Sequence, residues 1–191
     1  MAQTVVSQPH SRSQRRHDRR ELQTRIERAI RKLPLSEADI AAVASQLASE
    51  LIRLRSDRSW HDSAFFDIRG KVTAVCNHFA SEGLTLEDYA RAARRHPELF
   101  VKAPASLIAN VETVARHFQP HGLTLRSYLL AALRSPPLFA MSSATVIANV
   151  EAAASRFAGD GLTMRQYLQA VLRQPQLFYQ SPATISATLA I

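Results

Sequence analysis

The sequence predicts an all-α protein: a helical-repeat solenoid of about three 39-residue units, each helix–short helix–helix, with a helical N-terminal cap. Three observations carry this. The stretch from Gly83 recurs from Gly122 and again from Gly161, so Tyr89, Tyr128 and Tyr167 align, as do Pro97, Pro136 and Pro175. Self-similarity at a fixed period of this size marks an array of supersecondary units, each needing its neighbours to bury an apolar face. Gly is scarce, at 5 of 191 residues, while Ala, Leu and Arg are plentiful, a helix-forming mixture. No run alternates apolar and polar residues over a useful length, and the one Asp-Gly pair, Asp160-Gly161, lies between two helical patterns, where it reads as a helix C-cap.

In chain order, residues 1–33 are a basic arm, disordered or partly helical. They hold nine Lys/Arg against three acids, which gives +6 of the net +8; residues 34–191 are close to neutral. A basic arm suits an anionic partner such as nucleic acid; a solvated tail is the plainer alternative. The Arg- and Ser-rich start vaguely resembles a transit peptide, against which Asp18, Glu21 and Glu27 argue. Residues 34–64 are a capping helix and linker, with an amphipathic helix over 36–54 opened by Ser36 and Asp39 as a capping box. That helix is expected to cover the first unit's apolar face.

The repeat domain, 65–191, begins with a half unit: Ile68, Val72, Val75 and Phe79 align with Leu107, Val111, Val114 and Phe118. Gly83-Leu84-Thr85 closes one helix and opens another, with Gly just past the end and Thr85 as N-cap toward Asp88. The first helix of the unit is expected over 86–96. Pro97 cannot continue it but suits a first helical turn, so Pro-Glu-Leu-Phe starts a short helix. The long third helix is expected over 105–118, apolar every third or fourth residue. Ser181-Pro182 signals the same helix in the last unit.

These cues, Gly-Leu-Thr, an apolar helix, Pro-x-Leu-Phe, then Ser/Ala-Pro and a Leu/Ile/Val helix, resemble the repeats of the mitochondrial transcription termination factor (mTERF) family over about residues 65–191. The unit here is longer, carries Phe after Leu, and recurs few times. The resemblance implies a curved helical solenoid and, by fold-level analogy, nucleic-acid binding.

Among repeated residues, Tyr89, Tyr128 and Tyr167 could stack on bases, but apolar neighbours such as Leu86 and Ala93 place them on a buried face. The series Phe100, Phe139, Phe178 and Phe79, Phe118, Phe157 read as core. Asn110 and Asn149 are poor mid-helix residues, which suggests that each satisfies a neighbouring helix end. Arg95, Arg134 and Arg173 point about 120° away from the tyrosines, toward solvent, with Arg126 and Arg165 eight residues before the last two. In a stack they would form a stripe able to track phosphates; alternatively each is a cation favoured near its helix C-terminus. With Arg15, Arg16, Arg19 and Arg20 of the arm they are the candidate nucleic-acid contacts.

His78 and His117 align but Arg156 takes the third place, which argues against a repeated metal site. One Cys, Cys76, excludes an internal disulfide and fits a reducing compartment. No phosphate loop, nucleophile elbow or supported carboxylate pair is present, so no enzyme, cofactor, metal or small-molecule substrate is expected. The expectation is a nucleic-acid-binding repeat protein, DNA or RNA, without a membrane span. The alternative is a protein-interaction scaffold, including a bacterial secreted effector. A bacterial cytoplasm is the expected place, with organelle import or secretion as alternatives.

Overall fold

The computed structural model describes residues 12–54, 67–180 and 184, and among them there are helices and turns but no strand. The chain divides into two modules, Met1–Asp67 and Ile68–Ile191. Each is described by itself.

In the N-terminal module the basic arm is helical from Arg12 to Ile30 (α1), and Glu37–Leu54 is α2. Leu22, Ile26 and Ile30 recur every fourth residue and are fully buried, because α1 packs along α2. α2 contributes Ile40, Val43, Ala44, Leu47 and Ala48. The expected cap at Ser36 is present: the Asp39 amide donates to Ser36 Oγ at 3.2 Å, and Ser36 Oγ donates to Asp39 Oδ2 at 2.8 Å. The arm and the helix after it are thus one packed hairpin.

The C-terminal module starts with α3 (Ile68–His78). α4 (Leu86–Arg95) and α5 (Pro104–Phe118) follow. After a 39-residue step come α6 (Leu125–Arg134), the short α7 (Pro137–Ala140) and α8 (Ser143–Phe157); after another comes α9 (Met164–Arg173). Like packs on like: α3 on α5 and α5 on α8, α4 on α6 and α6 on α9. Gly83, Gly122 and Gly161 take φ of 85°, 92° and 82°, the left-handed conformation that a side chain resists, and each ends a one-turn 3-10 extension of the helix before it. Thr85, Thr124 and Thr163 then cap α4, α6 and α9 by accepting from the amide three residues on. Pro97 and Pro175 open 3-10 turns, Pro97–Phe100 and Pro175–Phe178. The second unit writes Pro136-Pro137 and forms an α-turn instead. The helix expected after Ser181-Pro182 lies outside the described residues.

The tyrosines and most of the repeated phenylalanines form the core. Tyr89 meets Phe139 edge-on at 5.7 Å, and Tyr128 meets Phe178 at 5.2 Å, so a ring of one unit packs on a ring of the next. Tyr89 Oη donates to the Leu99 carbonyl at 3.1 Å and Tyr167 Oη to that of Leu177 at 3.4 Å. Tyr128 Oη, fully enclosed, has no hydrogen-bond partner among the described residues; the α-turn that replaces the 3-10 turn accompanies this difference. Burial raises the phenol pKa of all three, Tyr167 to about 12. Two expectations need correction. Leu86, expected beside Tyr89 on the buried face, is 39% exposed, because it is the first residue of α4 and projects past the end of the stack. Phe157 is only partly buried, at the end of α8.

Candidate nucleic-acid interface

The repeated arginines hold neighbouring units together. Arg95, at the end of α4, donates through Nη1 and Nη2 to the carbonyls of Arg134 and Leu133, the last two residues of α6. Arg134, one unit on, donates through Nη2 to the Leu172 carbonyl of α9. The last carbonyls of a helix have no intrahelical donor and carry the negative end of its dipole, so a guanidinium from the preceding unit satisfies both needs. Arg173 has the same register, is exposed, and has no hydrogen-bond or ion-pair partner among the described residues.

Arg126 and Arg165 reach the other way. The guanidinium of Arg126 lies about 4 Å from where a Cβ on Gly83 would stand; Arg165 lies 3.4 Å from that position on Gly122. Each α4–α6 or α6–α9 pair is therefore joined at its C-terminal ends by a forward arginine, while a backward arginine lies over the glycine turn at the other end. Both backward arginines are exposed and have no polar partner among the described residues.

The other repeated polar residues also join units. Asn110 donates to the Phe139 carbonyl at 3.4 Å and accepts from the Ser143 amide at 3.3 Å, at the start of α8; Asn149 donates to the Tyr179 carbonyl at 3.3 Å. Lys71 stands at the aligned place in α3 and donates to Val101 at 3.2 Å. The helix it faces starts with Pro104, which has no amide to offer, so a donor-only side chain suffices there. His78 pairs with Glu112 and His117 with Glu151, each at 2.7 Å across a unit boundary. That is what the alignment of the two histidines serves. Among the described residues no three His, Cys, Asp or Glu side chains converge to hold a metal.

The arm is different. Arg15 and Arg16 belong to α1, but their side chains lie outside the described residues. Arg19 is exposed and reaches Ser45 Oγ of α2 at 3.4 Å. Arg20 is exposed without a partner among the described residues, as are Arg28 and, in the turn after the helix, Lys32. Arg20 and Arg28 stand about 120° and about 160° from the middle of the buried Leu22–Ile26–Ile30 face, with about 12 Å of helix rise between them. The packing of α1 thus aims Arg20 and Arg28 at solvent, whereas Arg31 is tied to Glu37 at 3.2 Å. Arg28 and Lys32 were not among the sequence-derived candidates. Their four-residue register with Arg20, opposite the apolar register, was the signal that could have found them. The chain matches no protein-family model, no curated protein and no solved structure.

Proposed function

We propose that the chain is a nucleic-acid-binding protein in which the outward face of α1 makes the main phosphate contacts and the repeat domain, stacked as a short solenoid, is its scaffold. One observation carries the reading: Arg20 and Arg28, on the side of α1 that faces away from its apolar contact with α2, and Lys32, in the turn after it, are exposed without a partner among the described residues. Clustered cations with no internal partner favour a polyanion, since each phosphate neutralised releases condensed counterions. The charge of the whole chain points the same way, with +6 of the +8 within residues 1–33. The packing of α4 on α6 on α9, and of α3 on α5 on α8, supports the solenoid, and the mTERF-like motifs agree with it by analogy.

Within the repeats, Arg95 and Arg134 already donate to carbonyls, so their phosphate contacts come second. Arg173, Arg126 and Arg165 have no polar partner among the described residues and are offered to an outside one. The test is a salt titration of binding to labelled duplex and single-stranded DNA and RNA, for the full chain and for Arg20→Glu/Arg28→Glu/Lys32→Glu. Steep salt dependence is expected, with a slope shallower by about 2.7 on duplex DNA in the triple variant. An unchanged slope and affinity would refute the assignment to α1.

A further inference from the structure

The N-terminal ends of α4, α6 and α9 carry a second surface, distinct from α1. Leu86, Leu125 and Met164 are each the first residue of their helix. None is buried, and Leu86 is 39% exposed. Beside Leu125, between α5 and α6, opens a notch of about 320 Å³ floored by Ala115 and Leu123. The same notch recurs beside Met164, between α8 and α9, at about 420 Å³, floored by Ala154 and Leu162. In the first unit Cys76 takes the place of Ala115 and Ala154 and points its thiol at the Thr85 carbonyl, 3.8 Å away.

The residue after each apolar one differs between units: Glu87 follows Leu86 and is exposed and paired with Arg91 at 2.8 Å. Arg126 and Arg165 follow Leu125 and Met164, exposed and without polar partners among the described residues. Arg165 rests on Gly122, which also lines the first notch, and the exposed Arg116 stands on its wall. The acid on that wall, Glu112, is already held by His78 at 2.7 Å and Arg116 at 3.9 Å. The surface is therefore an apolar row interrupted by notches, edged by cations beside Leu125 and Met164 and by the Glu87–Arg91 pair beside Leu86. Directly packed helices lie about 8–10 Å apart, so the row advances by about that much per unit. An α-helix presents one face every seven residues, about 10.5 Å.

We infer that this row docks a helical segment of a partner protein that is acidic and amphipathic, with its apolar residues at seven-residue spacing seated on Leu86, Leu125 and Met164 and its carboxylates paired with Arg126 and Arg165. Apolar anchors in small notches, ringed by charge that selects the partner, are the usual division between affinity and specificity at such surfaces. The inference does not depend on the role of α1.

The test is fluorescence anisotropy of the full chain with a labelled helical peptide of about 21 residues, Leu at every seventh position and Glu beside each, and with a twin carrying Lys for Glu. Saturable micromolar binding of the acidic peptide is expected, with at least tenfold weaker binding of the twin. Arg126→Glu/Arg165→Glu should weaken the acidic peptide at least tenfold, and the milder Arg126→Gln/Arg165→Gln should weaken it less, with helicity and melting checked for both. The proposal is overturned if the acidic peptide shows no binding up to about 1 mM, if the two peptides bind alike, or if the arginine variants keep full affinity. It is also overturned if duplex DNA displaces the peptide and itself loses affinity in the same variants, which would give the row to nucleic acid.

Discussion

Two sets of arginines in one chain have opposite fates. In the repeats, Arg95 and Arg134 turn onto the carbonyl ends of the next unit's helix, and their charge is used within the fold. On α1, Arg20 and Arg28 are likewise exposed, yet neither has an acceptor among the described residues. The cause lies in what packs beside each helix. α4 has a parallel copy of itself one unit on, whose last carbonyls arrive within reach of a side chain at its own C-terminus. α1 meets α2 through its apolar side, and Arg20 and Arg28 on its other side are exposed. Arginine content alone therefore does not locate an anion site; the neighbouring acceptors decide.

The comparison can be broken most severely through binding. Arg20→Glu/Arg28→Glu/Lys32→Glu is expected to lower nucleic-acid affinity by about a hundredfold or more at moderate salt, measured by filter binding, because charge reversal at three phosphate contacts removes their counterion release. Its thermal midpoint should stay near that of the parent, since none of the three side chains has a partner among the described residues.

Next in size are losses of stability in the repeats. Asn110→Ala is expected to cost about 1–2 kcal/mol in urea denaturation, because the Ser143 amide and the Phe139 carbonyl both lose a part-buried partner. Asn149→Ala should cost less: Tyr179 loses its donor, but the residue that aligns in sequence with Ser143 is Pro182, which has no amide. Arg95→Ala and Arg134→Ala should each cost about 0.5–1 kcal/mol, limited by solvent exposure, and leave binding within about twofold.

The smallest effects concern the tyrosines and the thiol. Tyr89→Phe should cost about 1 kcal/mol, whereas Tyr128→Phe should be neutral or slightly stabilising, since its hydroxyl is enclosed without a partner. Burial lifts Cys76 from 9.0 to about 11, with Asp88 adding to the shift, and Tyr167 from 10.0 to about 12. Both groups are neutral when protonated, so the stability they contribute is fully present below their ordinary values and is lost as pH rises toward the folded ones. Alkaline titration followed by circular dichroism should show destabilisation beginning above about pH 9, later in Cys76→Ala.

Much of the local structure was legible because punctuation residues have few physical options. Gly83, Gly122 and Gly161, the threonine caps and Pro97 placed the helix boundaries to within a residue or two. The same reading aimed Arg95 at solvent correctly but left open what it meets, since the Leu133 and Arg134 carbonyls belong to the next unit and a backbone acceptor has no sequence signature. Asn110 was legible as a helix-end partner because its low helix propensity demanded a reason. Leu86 misled because apolar periodicity does not tell a helix's first residue that it projects past the packed stack. In the N-terminal module the arm's helix was among the expected outcomes, and the fourfold register of Leu22, Ile26 and Ile30 in the sequence is what packs it on α2.

The most direct test uses two variants side by side, Arg20→Glu/Arg28→Glu/Lys32→Glu and Arg95→Ala/Arg134→Ala, each assayed for duplex DNA affinity and for urea midpoint. The first should lose affinity and keep its midpoint; the second should keep affinity and lose midpoint. If the second loses affinity while the first binds as the parent does, the phosphate contacts belong to the repeat arginines and not to α1.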